Sequence, residues 1–528
     1  MSSKIISIIP LTLGVLLSTG AAQETQAIGE SKETANESPE LGKEWLISSQ
    51  SDWEQNTDSS LQIDIKEGMA EPTAEVATFT SILKTFKSKQ KADCITVAQS
   101  PAWDNWEPAG NIGPGCTFDS PVFLSLGKNN YWFFGRYNQG AEQKAWDRSK
   151  GPFTPKEVRL DGYEMSLLTT PIPTQFRAPG GLKRSPYGYH AWQSRDMVNW
   201  VHHGPIGDKE SRWMTTAEYV DGQAYFYYDF PNDQDPHLII DDHLTDGEVG
   251  KKMGMAFEDP SHGSDCVFIR DRAGRFHVIY EDWSPVNPNT HSFDSPLAGH
   301  AVSDDGKGDF TILAPAVDER TTPTGVMKTF QHPHWVAECP ERFTSNIGEY
   351  EVHEPEQDCF GDWAAICIGG QYYLFGDYDP AGAHGSGGSQ MSVARLTSSS
   401  LNEPFEFCGS IGQGHPDPDI CFAEGRFYLA TQMETDFTSP GPWVESVEVR
   451  VGVDTNKNGQ IDLWTPWQEV KERYDYVKGF AKHVQRTPAQ LDLTSLPSGY
   501  GFQFQLKMTD TTGNRSKPVI DQVSLQFQ

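Results

Sequence analysis

Residues 351 to 366 read EVHEPEQDCFGDWAAI, and this segment combines many proton-active side chains with the start of an apolar run. Five carboxylates, His353 and Cys359 fall between positions 351 and 362. Carboxylates and an imidazole gathered in one place can donate a proton or accept one during catalysis. A solvated acidic loop would have the same composition. The choice between these interpretations depends on whether other acids converge on this segment.

Asp119 and Asp265 are acids placed like Asp362, just before an apolar run. They stand in TFDSPVF and GSDCVF, and Asp362 stands in FGDWAAI. All three belong to a wider pattern of apolar strand, Gly-containing turn and second strand rich in Tyr, Phe and Trp. Such pairs of runs predict β-hairpins. Five segments have the pattern: DSPVFLSLGKNNYWFFGRY from Asp119, AEYVDGQAYFYYDF from Ala217, DCVFIRDRAGRFHVIYED from Asp265, DWAAICIGGQYYLFGDYD from Asp362, and DICFAEGRFYLATQME from Asp419.

Five similar hairpin units without long helical patterns between them predict an all-β fold, a five-bladed β-propeller. In a propeller the innermost strands run beside a central axis, so residues at their starts gather at one mouth. Asp119, Asp265 and Asp362 would then lie close together although they are far apart in sequence. A β-sandwich built from ordinary hairpins is the alternative. Residues 188 to 205 and 301 to 310 have the pattern of outer strands in such blades.

The two ends of the chain differ from this repeat. Residues 1–22 contain Lys4, an apolar run and small residues, the pattern of a secretory signal peptide, which predicts a secreted or periplasmic protein. Residues 23–75 are polar and rich in Glu, Ser and Thr, and they predict a disordered linker before a propeller at 76–440. The net charge of −31 argues against nucleic acid and anionic membranes as partners.

Residues 441–528 alternate between apolar and polar side chains and predict a separate C-terminal β-sandwich. Within it, DTNKNGQID spaces Asp454, Asn456, Asn458 and Asp462 like the ligands of a calcium loop. The twelfth position is Thr465 and not Glu, so a structural calcium site and a plain Asn-Gly turn both remain open. His415, in GQGHPDPDI, is a weak metal candidate, since a lone histidine is usually structural.

The eight cysteines have no CxxC spacing, which argues against a zinc ribbon. Cys116, Cys266 and Cys359 each stand within three residues of a candidate acid. Export would permit these cysteines to staple loops by disulfides, and they could equally be small buried residues.

The first-strand acid in TFDSPVF, the third-strand acid in GSDCVF and the acidic loop VHEPEQDCFGDW resemble the five-bladed propeller glycoside hydrolases. SPLAGHAVSDDG and the His353-Glu354 pair make the sequence resemble glycoside hydrolase family 117 in particular. The resemblance covers about residues 100 to 440. It implies an exo-acting, inverting α-1,3-(3,6-anhydro-L-galactosidase) that acts on neoagaro-oligosaccharides and uses no cofactor in its chemistry.

The resemblance also implies roles for individual residues. Asp119 resembles the general base, and Asp265 resembles the acid that orients substrate and tunes its partner. His353 resembles a histidine general acid, with Glu354 as its acidic neighbour. Substrate contacts are expected from Asp362, Trp363 and His300. The polar N-terminal region does not match the family's helical domain-swapping segment, so the oligomeric state stays open, with the family's dimer as one possibility.

Other interpretations of the same residues stay open. Glu356 and Asp358 are alternative acids in the loop, and His353 could be structural. The whole chain could be an arabinofuranosidase, xylosidase or fructosidase of the same clan, since FEDP at 257–260 and AECPERF at 337–343 resemble fructosidase motifs. A non-catalytic carbohydrate-binding protein would suit the 15 tryptophans, but it would leave the separated acids without a task.

Overall fold

The structure is a computed structural model, and it describes the chain in ranges separated by gaps. These are residues 43–66, 68–101, 103, 107–108, 121–136, 188–197, 200–211, 213–230, 235–261, 265–282, 295–318, 320–321, 358–380, 392–411, 417–430, 437–439, 447–509 and 517–528. All of them belong to one compact unit that starts at Lys43. No helix among them is long and apolar enough to cross a membrane.

The N-terminal part of the described chain is mostly strand, with one short helix. Ser49 caps the helix by accepting the N–H of Asp52, whose side chain bonds back to the Ser49 N–H, so both exposed donors are satisfied. Trp53 buries the inner face of the helix. The elements are β1 Glu44–Ile47, α1 Gln50–Gln55, β2 Thr57–Leu61, β3 Ile63–Lys66, β4 Met69–Pro72, β5 Val76–Ser81, β6 Lys84–Gln90 and β7 Ala92–Ser100.

The middle of the chain, in its described ranges, contains twenty strands, numbered β8 to β27. The first of them is β8 Glu107–Pro108, and each later group of four or three strands is consecutive in the chain. The groups are β9 Val122–Ser125, β10 Tyr131–Arg136, β11 Tyr189–Ser194 and β12 Trp200–Pro205; β13 Met214–Val220, β14 Gln223–Phe230, β15 Asp235–Asp241 and β16 Lys251–Met255; β17 Val267–Arg270, β18 Phe276–Glu281, β19 Ala298–Ser303 and β20 Thr311–Ile312; β21 Cys359–Ile368, β22 Gln371–Asp379, β23 Ser392–Ser398 and β24 Glu406–Ile411; and β25 Asp419–Ala423, β26 Arg426–Ala430 and β27 Phe437–Ser439.

These groups form five antiparallel sheets, which we call the first to fifth ring sheets. The first strand of each sheet packs against the first strand of the next, and β25 of the fifth sheet packs against β9 of the first, which closes a ring. The early strand β8 is the outer strand of the fifth sheet, so the two ends of the ring segment meet in one sheet. The all-β fold class is confirmed, and so are the five predicted hairpins.

The core of the ring lies between neighbouring sheets. Five buried apolar clusters each combine residues of two adjacent sheets. Strands such as β10 and β18 are buried on both faces, which explains their unbroken aromatic and aliphatic sequence. Asp221-Gly222, Gly369-Gly370 and Glu424-Gly425 turn three of the hairpins with positive φ at both positions, the geometry that suits two-residue hairpin turns.

Among the described residues, the C-terminal part of the chain adds eight more strands. They are β28 Val447–Asp454, β29 Leu463–Trp464, β30 Gln468–Val470, β31 Arg473–Tyr476, β32 His483–Thr487, β33 Ala489–Asp492, β34 Gly499–Thr509 and β35 Val519–Phe527. Strands β31 and β32 extend the fourth ring sheet, with β32 parallel to β21. The remaining strands join those of the N-terminal part.

Both ends of the chain build two further sheets that pack on each other, which we call the sandwich. One sheet has the order β3-β4-β35-β7-β33, with β1 beside β35. The other has the order β2-β5-β34-β28-β29, with β6 beside β34 and β30 beside β28. Trp45 of the first sheet lies 5.3 Å from Phe504 of the second between ring centroids. The ring segment is therefore inserted between β7 and β28 of the sandwich.

Three predicted segments differ from this arrangement. The predicted linker at 23–75 contains β1 to β4 from position 44 onward, and the predicted propeller at 76–440 begins with sandwich strands β5 to β7. The unit at 441–528 is not separate, because its strands pair with N-terminal ones. Strands β2 and β3 are short and none of their residues is buried, so their sequences are polar and resemble those of a disordered segment.

Candidate functional site

Three aspartates occupy matching positions at the starts of ring strands. Asp265 and Asp417 each stand two residues before a first strand, and Asp362 lies at a register shift within β21. All three have left-handed backbone, with φ of 40°, 30° and 46° respectively. Non-glycine residues rarely adopt this conformation, although Asp tolerates it better than most. Together with Thr215, Trp363 and Pro418, these aspartates line one pocket.

A second set of acids holds the main chain of these aspartates. The N–H of Asp362 donates to Glu281 at 2.9 Å, and the N–H of Asp417 donates to Asp377 at 2.8 Å. The N–H of Asp265 makes a longer bond of 3.4 Å to Asp229. In each case the acceptor lies at or near the end of the second strand of the preceding ring sheet. The repeat of the ring therefore positions six carboxylates around one mouth.

The acids of the mouth are close enough to share protons. Oxygens of Asp265, Glu281 and Asp362 lie within 4.8 Å of one another, and so do oxygens of Asp362, Asp377 and Asp417. Burial raises the pKa of Asp362 well above its ordinary value, and repulsion from Asp417 and Asp265 adds to the rise. Carboxylates at this distance repel one another when ionised, so Asp362 keeps its proton to a higher pH than an isolated aspartate does.

This arrangement can do two kinds of chemistry. Asp362, with its raised pKa, and Asp265 beside it place a carboxyl group that can donate a proton and one that can accept a proton in one pocket, as acid–base catalysis requires. The same oxygens could instead ligate a calcium or magnesium ion, since both prefer carboxylate ligands. Either a proton or a cation would relieve the repulsion within the cluster.

The structure brings together Asp265, Asp362 and Trp363, three of the residues predicted for the site. Trp363 is buried and also packs in the core between the third and fourth ring sheets. The predicted residues Asp119, His353, Glu354, Glu356 and His415 lie outside the described ranges. Their roles stay predictions.

Two other predicted residues lie elsewhere in the fold. His300 is buried on β19, where its Nε2 is 2.8 Å from Nδ1 of His277, and it does not line the pocket. Burial lowers the pKa of His300 to about 3, so it is a neutral member of the sheet interior and not the expected substrate contact. Asp358 is buried beside the Tyr378 hydroxyl, whose pKa it helps to raise after burial, and it is also absent from the pocket lining.

Sequence reasoning missed Asp417, Glu281, Asp377 and Asp229. The fifth hairpin was aligned on Asp419, but the residue equivalent to Asp265 is Asp417 two positions earlier. Asp419 instead accepts the N–H of Phe123 at 2.6 Å and joins the fifth ring sheet to the first. The DPD sequence at 417–419 has an acid at both positions, and this could have pointed to Asp417. For the acids of the second strands, the only signal in the sequence is their place near a strand end.

The calcium-like loop is compact in the structure. Asp454 accepts the N–H groups of Asn456, Lys457, Asn458 and Gly459, and these bonds lower its pKa against the opposing effect of burial. Asp462 accepts the Asn456 side-chain amide at 2.7 Å. The main chain thus satisfies Asp454, and calcium binding here stays a prediction.

The described cysteines near the site are free thiols. Cys266 and Cys359 are both buried, and neither forms a disulfide. Cys266 and Cys359 are therefore small buried residues and not disulfide partners, which is one of the two interpretations left open by the sequence. Cys116 lies outside the described residues.

Comparisons with known proteins give likenesses among solved structures only. No family model matches the chain, and no curated protein matches it. A β-xylosidase, RS223, has 12% identity and a TM-score of 0.37 over 63% of this chain and 94% of its own. The α-L-arabinanase of Cellvibrio cellulosa, solved with arabinohexaose, has 12% identity and a TM-score of 0.35 over 71% and 96%. The endo-arabinase of Bacteroides thetaiotaomicron has 8% identity and a TM-score of 0.34 over 62% and 94%.

Proposed function

We propose that the ring is a five-bladed β-propeller and that the chain is a secreted glycoside hydrolase acting at its mouth. The observation that carries the proposal is the carboxylate cluster around Asp362, whose pKa is raised well above its ordinary value by burial and by the neighbouring carboxylates. Glycoside cleavage needs one group to protonate the leaving oxygen and another to activate water or attack the sugar. A purely carbohydrate-binding protein would have no need to hold several carboxylates so close that they repel one another.

The substrate we propose is an oligosaccharide from algal galactan, from which the enzyme removes a terminal 3,6-anhydro-L-galactose. An uncharged sugar suits the site, because the carboxylates that line the mouth accept hydrogen bonds from hydroxyl groups and repel anions. The net charge of −31 acts in the same direction. Arabinose- or xylose-releasing activity is the alternative, since those sugars are also neutral.

The spacing of the acids bears on the mechanism. Inverting enzymes hold acid and base about 6.5–9.5 Å apart, and retaining enzymes hold two carboxyl groups about 5–5.5 Å apart. Asp265 and Asp362 are closer than the inverting distance, with oxygens within 4.8 Å. We propose inversion, with Asp119 as base, His353 as acid and Asp265 and Asp362 orienting the sugar. If the reaction retains configuration, Asp265 and Asp362 become the nucleophile and the acid.

One experiment tests activity and stereochemistry together. Purified protein is incubated with neoagarobiose, and proton NMR follows the first anomer released, with aryl arabinofuranoside and xyloside as parallel substrates. We expect turnover of neoagarobiose with inversion, and we expect Asp265→Asn to abolish it. Asp304→Asn, an exposed position on the same sheet, is the control that should keep full activity. Binding without turnover on every substrate would reject the enzyme proposal.

A further inference from the structure

Residues 473–487, which we call the plug, lie across the end of the ring opposite the pocket. The pocket lies where the first strands begin, and the plug pairs with β21 near the end of that strand. His483 bonds to the carbonyl of Arg270 at the end of β17, at 2.6 Å. The Tyr476 hydroxyl lies 2.9 Å from that of Tyr131 in the first ring sheet.

Lys482 projects from the plug between the first strands of the ring. Its side chain is buried, and its Nζ donates to Thr216 Oγ1 at 2.5 Å and to the Phe268 carbonyl at 2.7 Å. Its own carbonyl accepts the N–H of Cys367 at 2.8 Å, which fixes the main chain on β21. Thr216 is the next residue on β13 after Thr215, which lines the pocket. The ammonium group therefore lies about one residue along β13 from the mouth.

Two buried acids face this ammonium group. Glu218 on β13 and Asp419 on β25 both interact electrostatically with Lys482. The two carboxylate oxygens of Glu218 make no well-formed hydrogen bond in the structure. Burying such groups without a counter-charge is costly, because an ionised carboxylate loses its hydration. Lys482 supplies the largest opposing charge at Glu218, followed by Arg270 of β17, and Lys482 is the one that comes from the plug.

We propose that the inner strands of the ring form an internal cation site and that Lys482 is its permanently tethered occupant. Thr216 and Phe268 supply the oxygen ligands, and Glu218 and Asp419 supply the compensating charge. A hydroxyl, a carbonyl and two carboxylates are also suitable partners for a free primary ammonium ion. The plug stands between β30 and β33 of the sandwich in the chain, so the folding of the ring comes to depend on the sandwich. This inference does not depend on whether the protein is a glycosidase.

Chemical rescue tests the proposal. Lys482→Ala removes three methylene groups and the ammonium, which together correspond to propylammonium. We expect the variant to unfold about 5 °C or more below the wild type, since it leaves buried acids without their cation. Propylammonium chloride should restore much of this loss in a concentration-dependent way. Tetramethylammonium at equal ionic strength should not, because it has no N–H to donate.

The controls separate a cation site from ordinary packing. Lys478→Ala, at an exposed position of the plug, should show neither the loss nor the rescue. If Lys482→Ala is as stable as the wild type, or if both ammonium ions act alike, the proposal is wrong. If Lys482→Ala does not fold, Lys482→Met is compared with Lys482→Met/Glu218→Gln. Recovery of soluble protein only in the double variant supports the proposal, and equal behaviour of the two rejects it.

Discussion

The main-chain N–H of Asp362 donates a hydrogen bond to Oε1 of Glu281 at 2.9 Å. Glu281 ends the second strand of the third ring sheet, and Asp362 lies on the first strand of the fourth. The bond therefore joins two sheets at the pocket and places a second carboxylate beside Asp362. It links the repeat that builds the ring to the electrostatics of the candidate site.

Glu281→Gln keeps an oxygen that can accept this bond and removes the negative charge. Because repulsion from Glu281 contributes to the raised pKa of Asp362, that pKa should fall toward its ordinary value. If Asp362 is the acid, as in the retaining alternative, the alkaline limb of the pH dependence of kcat/KM should move to lower pH. Glu469→Gln, at an exposed position in the sandwich, should leave the limb in place. An unchanged limb in Glu281→Gln would show that Asp362 does not titrate in catalysis.

Asp362→Asn should lower the activity and raise the stability of the protein at high pH. The folded protein holds the Asp362 proton to a higher pH than the unfolded chain, whose aspartates have a pKa of about 3.9. The contribution of Asp362 to stability is therefore intact below that value and is lost as the pH rises through the folded pKa. Calorimetry should show a higher Tm for the variant than for the wild type near about pH 8, with a smaller difference near about pH 5.

The same measurement on Asp304→Asn supplies the reference for a charge removed from an exposed site. Its difference from the wild type should be small and nearly constant with pH. A pH-independent difference for Asp362→Asn as well would mean that the carboxyl is ionised in the folded protein, against the expectation from its burial.

His353→Ala tests the predicted general acid. If the histidine protonates the leaving group, the variant should lose roughly 10²–10⁴-fold in rate, mainly in kcat. A dinitrophenyl glycoside, whose leaving group needs no proton, should recover much of that loss in His353→Ala and none in Asp119→Ala. Should Glu356→Ala show the loss and the recovery while His353→Ala stays active, Glu356 is the acid.

Removal of N-terminal residues tests how the ring depends on the sandwich. A chain that starts at residue 101 lacks β1 to β7, which pair with β33, β34 and β35. We expect it to be insoluble, because both sandwich sheets lose strands and the plug loses its support. A chain that starts at residue 43 keeps every described strand and should match the full chain in Tm and activity. A stable, active ring from residue 101 onward would contradict the inserted arrangement.

Much of the ring could be predicted because its information is local. Hairpins depend on apolar runs and on turn residues such as Asp221-Gly222 and Gly369-Gly370, which stand next to each other in the chain. Asp265 and Asp362 could be selected because they directly precede or begin such runs. Asp417 was displaced by its neighbour Asp419, since the sequence does not show which of two adjacent acids faces the axis and which bonds to the next sheet.

The sequence by itself determined the all-β class, the hairpin repeat and two of the acids at the mouth. Only the tertiary structure decided that the chain ends share two sheets, that Glu281 and Asp377 hold the mouth aspartates, and that Lys482 of the plug reaches the inner strands of the ring. These features join residues up to hundreds of positions apart, as when β1 pairs with β35. Periodicity shows which face of such a strand is buried but not which strand it pairs with, so the partners follow from shape and burial in the folded protein.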